Sequence, residues 1–427
     1  MKSMTIDSGW VRILKQGRPD AFTNRMPTGV TPSVVFIDGQ IKLMKADYIK
    51  TWQQFLDYQF ERVIQDAFDT GSPIVVLAFD NYEHVPVSKA PTQRRRTSAV
   101  PVMTFDPTDD LPRTPPEQWN SAMRNRVFKN KVVALVVRNM AKRFANNPRT
   151  LILDWHGVPE VVGKPVMLPE VLTKPDVRRG ECDIKAFAYM PLGTLLIFST
   201  DGDFLPLAMV QIERAANAGT LQGDVYVHRM FTKISEVALR KKRPRLETNR
   251  RMYEYVHANK LLEFVQHELP SAPAPATNFA TLVAATGCDF AMSLPQLGPV
   301  KIWRERARLQ SMFELGGDAA AFGTILTIYF FAFQRQHSLS SMPAKGDMEA
   351  FSAIYTRMVK SLQANDSVSA RIKDALWSAE RCIAHAQNVN WTLKYWSLLH
   401  DCPDPLEQGQ YGFEQNKRGA VIFAATN

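Results

Sequence analysis

The chain has 427 residues, a formal net charge of +10 and 45% hydrophobic residues. The length excludes a single small domain, and the hydrophobic share is ample for a folded core. The excess of Lys and Arg favours a polyanionic partner such as nucleic acid, because these side chains displace condensed counterions from phosphates.

Four short apolar runs end at or just before an acidic residue and alternate with helical patterns. The runs are 34–37 before Asp38, 74–79 before Asp80, 151–153 before Asp154, and 195–198 before Asp201. Continuous apolar runs of this length are typical of strands buried on both faces of a parallel sheet. Residues 48–68 show apolar side chains at helical spacing. The alternation predicts an α/β fold with a mostly parallel twisted sheet flanked by helices, and ligands of such sheets bind at the carboxyl ends of strands.

An insertion over residues 97–149 separates the second and third predicted strands. Its first half is rich in Pro and predicts a loop, whereas 117–145 predicts a basic helix. The cations on this predicted helix are Arg124, Arg126, Lys129, Lys131, Arg138, Lys142 and Arg143. From about residue 300 the chain is predicted to be helical, without recognisable chemistry.

The four cysteines are not spaced as CxxC, which argues against a zinc site and against a disulfide framework. A reducing, intracellular compartment fits this pattern, although cytoplasm and nucleus are not distinguished. The first ten residues have no apolar signal core, and no apolar run is long enough for a comfortable membrane span.

Seven carboxylates lie in five short segments, and two of these segments hold a pair. The seven are Asp38, Asp80, Glu181, Asp183, Asp201, Asp203 and Asp289. One residue separates the two members of each pair, which directs both groups to one side of an extended segment. A single Asp after a strand is usually a cap or turn residue. The occurrence of five acidic segments together favours a functional site over that interpretation. Converging carboxylates suit Mg²⁺ or Mn²⁺, and two such ions can act on a phosphodiester.

These segments resemble the flap endonuclease/XPG family of structure-specific 5′ nucleases. The similar blocks are VVFIDG with VVLAFDNYEHVPVSKAPTQRRR, GECDIKAFAY with LLIFSTDGDF, and TGCDFAMSLPQLGP. They cover under a quarter of the chain, but their order and all seven acidic positions agree. The resemblance implies a PIN-like, XPG-type nuclease domain over 1–310 and a helical C-terminal region over 311–427. Within the domain, it implies a helical arch over 97–149 and a DNA-binding helix–two-turn–helix element over 279–310.

The resemblance also implies roles for individual residues. Asp38, Asp80, Glu181 and Asp183 would hold or orient one Mg²⁺ ion, and Asp201, Asp203 and Asp289 would hold a second; Mn²⁺ would substitute. Lys89 and Arg96 would contact the scissile phosphate, with Arg94 and Arg95 able to share that role. Arg124, Lys129 and Lys131 would guide a single strand, and Gly298, Lys301, Arg304 and Arg306 would grip duplex phosphates. Water would be the attacking group, since no Ser, Cys or His constellation accompanies the carboxylates.

The chain departs from the family pattern at several positions. Asp183 replaces the usual Glu, and Gln296 replaces a Gly in a turn that binds a monovalent ion in the family. Tyr48 is a weak match for the aromatic that stacks on a base near the cut. There is no sliding-clamp peptide at the C-terminus. These departures are typical of a diverged member, for example one from a virus or phage.

The implied substrate is DNA with a 5′ flap, a junction or a free 5′ end, in replication, repair or recombination. A 5′→3′ exoribonuclease and a non-catalytic scaffold of the same fold are the alternatives. The compact segment from GCDF to Pro299 favours duplex DNA over RNA, and none of the seven acidic positions is missing. A hydride-transfer enzyme and an NTPase motor are disfavoured, because neither GxGxxG after the first strand nor a Walker A motif is present.

Overall fold

The structure is a computed structural model. It describes residues 4–5, 9–44, 50–81, 119–174, 180–199, 201–234, 250–269, 274–288, 298–309, 313, 321, 324–325, 348–364, 377–397, 413–415 and 421–423. Within these ranges no helix has both the length and the hydropathy that crossing a bilayer requires.

A nine-stranded sheet organises the chain. Its strands are β1 (Met4–Thr5), β2 (Phe22–Thr23), β3 (Val34–Asp38), β4 (Ile74–Ala78), β5 (Thr150–Asp154), β6 (Glu160–Gly163), β7 (Leu195–Phe198), β8 (Val225–Ile234) and β9 (Arg250–His257). The order across the sheet is β2-β9-β8-β7-β3-β4-β5-β6, and β1 pairs with β8. The central strands from β8 to β5 are parallel, and the pairs toward the edges are antiparallel. The α/β class and the four predicted strands are therefore confirmed.

The central strands are buried on both faces, as their continuous apolar runs predict. Every residue of β3, β4 and β5 is buried. Alternate side chains of a strand point to opposite faces, so each strand contributes to two cores. In β3, Val34 and Phe36 belong to the first core, whereas Val35 and Ile37 belong to the second.

Helices cover both faces of the sheet. The first core is covered mainly by Gly9–Gly17, Phe204–Asn217, Ala258–Glu268, Pro275–Thr286, Met348–Ala364 and Ala379–Ser397. The second is covered mainly by Arg126–Phe144 and by the consecutive segments Trp52–Leu56, Asp57–Glu61 and Arg62–Phe68, the middle one a π-helix. Shorter elements are Pro19–Ala21, Gly39–Met44, Trp119–Ala122, Glu170–Thr173, Cys182–Lys185, Ala186–Leu192, Pro299–Arg304, Arg306–Leu309 and a hairpin of β10 (Phe413–Gln415) and β11 (Val421–Phe423).

The basic helix predicted in the insertion is present, but it belongs to the core. Arg126–Phe144 begins after Asn125, whose side chain accepts a hydrogen bond from the Phe128 amide at 3.1 Å. Val132 and Val136 on this helix are fully buried in the second core. The apolar side of this helix packs against the sheet, and the helical arch over 97–149 stays a prediction. Residues 97–118 lie outside the described ranges.

The predicted boundary between residues 310 and 311 does not separate two cores in the described part of the chain. The helix Ala379–Ser397 packs on Pro275–Thr286, and Trp391 and Trp396 are fully buried in the first core together with Phe279. The helical character predicted for this region is confirmed for the described helices. Of the predicted helix–two-turn–helix element, residues 289–297 lie outside the described ranges.

Candidate active site

The strand order reverses at β3, which opens a crevice at one edge of the sheet. β4 and β5 lie to one side of β3, and β7 and β8 lie to the other. At such a switch point the connections that leave neighbouring strands run in opposite directions, and ligands bind between them. β3 ends at Asp38, and the segment from Ser199 to Asp203 directly follows β7. Two of the predicted acidic segments therefore flank the switch point.

Hydrogen bonds connect the segment after β7 to the end of β3. The Ser199 Oγ donates to Oδ2 of Asp38 at 3.3 Å, and the Asp201 amide donates to Ser199 Oγ at 3.2 Å. The Asp203 amide in turn donates to Oδ1 of Asp201 at 3.0 Å. Asp201 is exposed and Asp203 half-buried, just before the helix Phe204–Asn217. The contacts therefore connect Asp201 through Ser199 to the carboxylate of Asp38, and Asp203 to Asp201.

A second set of hydrogen bonds holds the GECD segment against the end of β4. Oδ1 of Asp80 accepts from the Cys182 amide at 2.9 Å, and the Asn81 amide donates to the Gly180 carbonyl at 2.8 Å. Glu181 and Asp183 lie on either side of Cys182 and are 6% and 8% exposed. Glu181 occupies the N-cap of Cys182–Lys185 without making a side-chain cap. Two further carboxylates are thus buried at the same edge of the sheet.

The pKa of Asp38 depends on the carboxylates around it. Burial raises the pKa of Asp38 to about 8, with further contributions from Asp80, Asp183 and Asp201. The hydrogen bond from the Gln40 amide, 3.0 Å from Oδ1, lowers the pKa but does not offset these causes. The neighbouring carboxylates therefore add to burial in disfavouring the ionised form of Asp38.

The donor set fits a hard divalent cation. Its groups are carboxylates, whose oxygen atoms Mg²⁺ and Mn²⁺ prefer, and a cation among them would favour the ionised form of Asp38. In the described ranges, no three His, Cys, Asp or Glu side chains already have the spacing of a metal centre. Asp289 lies outside those ranges. Metal binding by the seven predicted carboxylates therefore stays a prediction.

Stability in the absence of metal should fall as the pH rises through the pKa of Asp38. The folded-state pKa is about 8 against an ordinary value of 3.8, so the folded chain holds an extra proton between these values. The stabilisation that this proton gives the folded state is fully present below pH 3.8 and is lost as the pH rises through about 8. His228 and His385, whose pKa values burial lowers from 6.5 to about 4, alter the stability between those two values and so not above about pH 7.

We therefore expect the Tm in EDTA to fall between about pH 7 and about pH 9, as differential scanning calorimetry would measure. Mg²⁺ should raise the Tm more at the higher pH, because the ionised carboxylates bind it without releasing a proton. A Tm in EDTA that stays constant or rises over this window would contradict the electrostatic description of Asp38.

A buried network that sequence reasoning missed lies beside the carboxylates. Lys185 Nζ donates to the Phe79 carbonyl at 2.8 Å, to Oδ1 of Asp154 at 3.2 Å and to the Trp155 carbonyl at 3.3 Å. The Tyr189 hydroxyl donates to Oδ2 of Asp154 at 2.8 Å. Asp154, at the end of β5, is thus engaged in fixing the GECD segment to the sheet. The sequence offered one signal for this contact, namely Asp154 at the end of a predicted strand and Lys185 in the segment GECDIK.

Lys42 is a second residue that sequence reasoning missed. It lies half-buried on the helix Gly39–Met44, directly after β3. Burial lowers the pKa of its ammonium, whereas Asp66 and Asp38 raise it. Lys42 therefore provides a cation close to Asp38, and its position one turn after a strand-end Asp could have indicated this.

The predicted nucleic-acid contacts fall into three groups. Lys89, Arg94, Arg95 and Arg96 lie outside the described ranges. Arg124, Lys301 and Arg304 are exposed, Lys129 and Lys131 are half-buried, and Gly298 directly precedes the helix Pro299–Arg304. The role of all these residues in DNA binding therefore stays a prediction.

Two further cations are engaged within the protein. Arg143 pairs with Asp57 at 2.7 Å and also with Glu61. Arg306 pairs with Glu268, and its guanidinium lies 4.7 Å from the centre of the Trp303 ring. Each of these two cations therefore has an acidic partner within the protein, and a role in nucleic-acid binding stays a prediction.

Comparisons with known proteins complete the description. No family model matches the sequence, and no curated protein matches it. Among solved structures, the chain is similar to two complexes of the catalytic core of Rad2 with DNA substrate. For one the identity is 12%, over 84% of this chain and 76% of that chain, with a TM-score of 0.36. For the other the values are 13%, 85%, 77% and 0.37. Both TM-scores are low, and the assignment of the fold stands on the strand pairing described above.

Proposed function

We propose that this chain is a Mg²⁺-dependent, structure-specific 5′ nuclease that hydrolyses DNA at a 5′ flap, a junction or a 5′ end. The observation that supports it most is the gathering of carboxylates at the switch point of the sheet, where Asp80, Asp183 and Asp201 lie close enough to Asp38 to raise its pKa. A crevice of this kind that concentrates buried carboxylates is suited to cations that bind phosphate. The net charge of +10 is consistent with a nucleic-acid partner.

In this proposal the carboxylates form two groups around two divalent ions. Asp38, Asp80, Glu181 and Asp183 hold one ion, and Asp201, Asp203 and Asp289 hold the other. When bound, such ions polarise the phosphate and lower the pKa of water, so that water can attack near neutral pH. The protein holds these groups in place through the contacts of Asp80 with Cys182 and of Ser199 with Asp38.

Cationic side chains complete the proposed site. Lys42, close to Asp38, offsets negative charge on the phosphate as the reaction proceeds. Lys89 and Arg96 have the same role by the sequence resemblance. Lys301 and Arg304, which are exposed, contact the duplex backbone away from the cut.

Cleavage of a matched set of substrates tests the proposal. Labelled 5′-flap, nicked, bubble and single-stranded DNA, with RNA of the same sequences, should be incubated with Mg²⁺ and separately with EDTA. We expect Mg²⁺-dependent cleavage of the flap or bubble DNA near the junction, and none in EDTA.

Two other outcomes would overturn it. Degradation of RNA alone, from its 5′ end, would assign the chain to exoribonucleases. Binding of the flap substrate with no cleavage of any substrate in Mg²⁺ or Mn²⁺ would identify a non-catalytic scaffold.

A further inference from the structure

Ring-bearing side chains extend from the end of β7 across β8 and β9. We call Phe198, His228, Tyr253 and Tyr255 the aromatic platform. The His228 ring lies 4.8 Å from Phe198 and 4.5 Å from Tyr255, measured between ring centres. It is stacked on Tyr253 at 5.3 Å, with 11° between the planes. The four rings therefore form one continuous surface centred on His228.

The register of the sheet places this platform beside the candidate active site. Ile37 of β3 pairs with Phe198, Phe198 pairs with His228, and His228 pairs with Tyr255. Asp38 directly follows Ile37, so its side chain leaves the same carboxyl end of β3 toward the opposite face of the sheet. At about 4.8 Å per strand, the row reaches roughly 14 Å from β3. The platform thus begins one strand away from the buried carboxylate.

The exposed part of the platform lies toward the carboxylates. Tyr253 pairs with Met230, which lies two residues after His228 in β8. Because His228 pairs with Phe198, the last residue of β7, Tyr253 lies past the carboxyl end of β7. Its side chain is 53% exposed although its ring is stacked. In the opposite direction along the strands, Tyr226 is stacked on His257 but only 2% exposed. The face is therefore open at the end that adjoins the site and closed at the other.

A cation is close to both the platform and the carboxylates. The charge of Lys42 influences both Asp38 and His228. Burial, with a smaller effect of Lys42, lowers the pKa of His228 to about 4, so its imidazole is an uncharged ring at neutral pH. An aromatic surface next to a cation matches a single strand, which offers flat bases and a charged backbone at alternating positions.

We propose that the aromatic platform binds unpaired nucleobases of a single strand next to the scissile phosphate, with a base stacked on Tyr253 and a backbone phosphate near Lys42. This rests on the proposed nuclease function and adds to it the class of group that the sheet face recognises. Every base has an aromatic face, so the platform selects for single-stranded character and not for sequence.

Binding of single-stranded oligonucleotides to Tyr253→Ala tests this inference. The probes are a fluorescein-labelled oligodeoxythymidylate and an abasic oligomer of the same length, measured by fluorescence anisotropy in EDTA so that no cleavage occurs. We expect Tyr253→Ala to weaken binding of the base-containing probe roughly ten-fold and to leave the abasic probe unchanged. Tyr253→Phe, which keeps the ring, should bind both probes as the wild type does.

Tyr58→Ala is the matched control, because Tyr58 is 55% exposed on the helical segment Asp57–Glu61, away from the platform. It should not change binding of either probe. Equal binding of the base-containing probe by Tyr253→Ala and the wild type would overturn the inference, as would equal losses on both probes. Cleavage is measured separately, so stacking without cleavage would refute the nuclease alone, and cleavage without stacking would refute the platform alone.

Discussion

Replacing Asp38 with Asn should reduce DNA cleavage roughly a thousand-fold, because it removes a charge that the proposed divalent ions require. The substitution preserves the shape of the side chain. The Asn carbonyl can still accept from the Gln40 amide, now 3.0 Å from Oδ1, and its amide can contact Ser199 Oγ, now 3.3 Å from Oδ2. Single-turnover cleavage of a 5′-flap substrate in Mg²⁺ measures the effect.

The stability of the same variant separates a catalytic role from a structural one. Since the charged form of Asp38 is disfavoured in the folded state, Asp38→Asn should unfold at a higher temperature than the wild type in EDTA above about pH 8. Asp66→Asn is a suitable control, because Asp66 is exposed and also influences Lys42 but lies outside the carboxylate cluster. Its cleavage rate should stay within about two-fold of the wild type, as is usual for exposed sites. Loss of activity together with loss of stability in Asp38→Asn would contradict the assignment.

Replacing Lys185 with Met should lower the free energy of unfolding by about 3–5 kcal/mol, because it leaves a buried carboxylate without its cation. Lys185 and Asp154 have side chains that are 2% and 1% exposed. The carbonyls of Phe79 and Trp155 lose a donor as well. Urea denaturation followed by circular dichroism measures the change.

A double-mutant cycle tests whether the loss comes from the unpaired charge. Adding Asp154→Leu to Lys185→Met removes the isolated carboxylate and should recover part of the lost stability. Tyr189→Phe, which removes only the hydroxyl bonded to Asp154, is expected to cost about 1 kcal/mol. A loss below about 1 kcal/mol for Lys185→Met would show that the pair does not stabilise this edge of the sheet.

The centre of the sheet could be predicted from the sequence, whereas its antiparallel side could not. β3, β4, β5 and β7 are apolar runs because both of their faces are covered. β8 contains Arg229 and β9 contains Glu254, and from their charge alone both would be predicted to be exposed. Both are buried, and they pair with each other at 3.1 Å, while Lys15 lies 2.6 Å from Glu254. These partners are far apart in the chain, so local pattern does not reveal that the charges are compensated.

The helix Arg126–Phe144 shows that periodicity predicts packing better than charge does. The cations on Arg126–Phe144 suggested a helix that contacts nucleic acid. Val132, Val136 and Met140 recur every four residues on the same helix and are fully buried. That spacing is the signal of a helix packed against a core.

The carboxylates of the candidate site could be predicted because strand ends in a parallel sheet meet at one edge. Of their supporting residues, Lys42 could be found from its position four residues after Asp38. Lys185 is different, because it contacts Asp154 from a distant part of the chain. Such contacts depend on strand order, which the sequence does not specify.

Titration of Mg²⁺ into the wild type and into Asp38→Asn by isothermal calorimetry, at about pH 8.5 where the carboxylates are ionised, tests the central claim most directly. We expect the wild type to bind Mg²⁺ with saturable heat and Asp38→Asn to lose at least one binding event. Identical titration curves for the two proteins, or no binding of Mg²⁺ or Mn²⁺ to the wild type, would contradict the assignment of this sheet edge as a metal-dependent nuclease site.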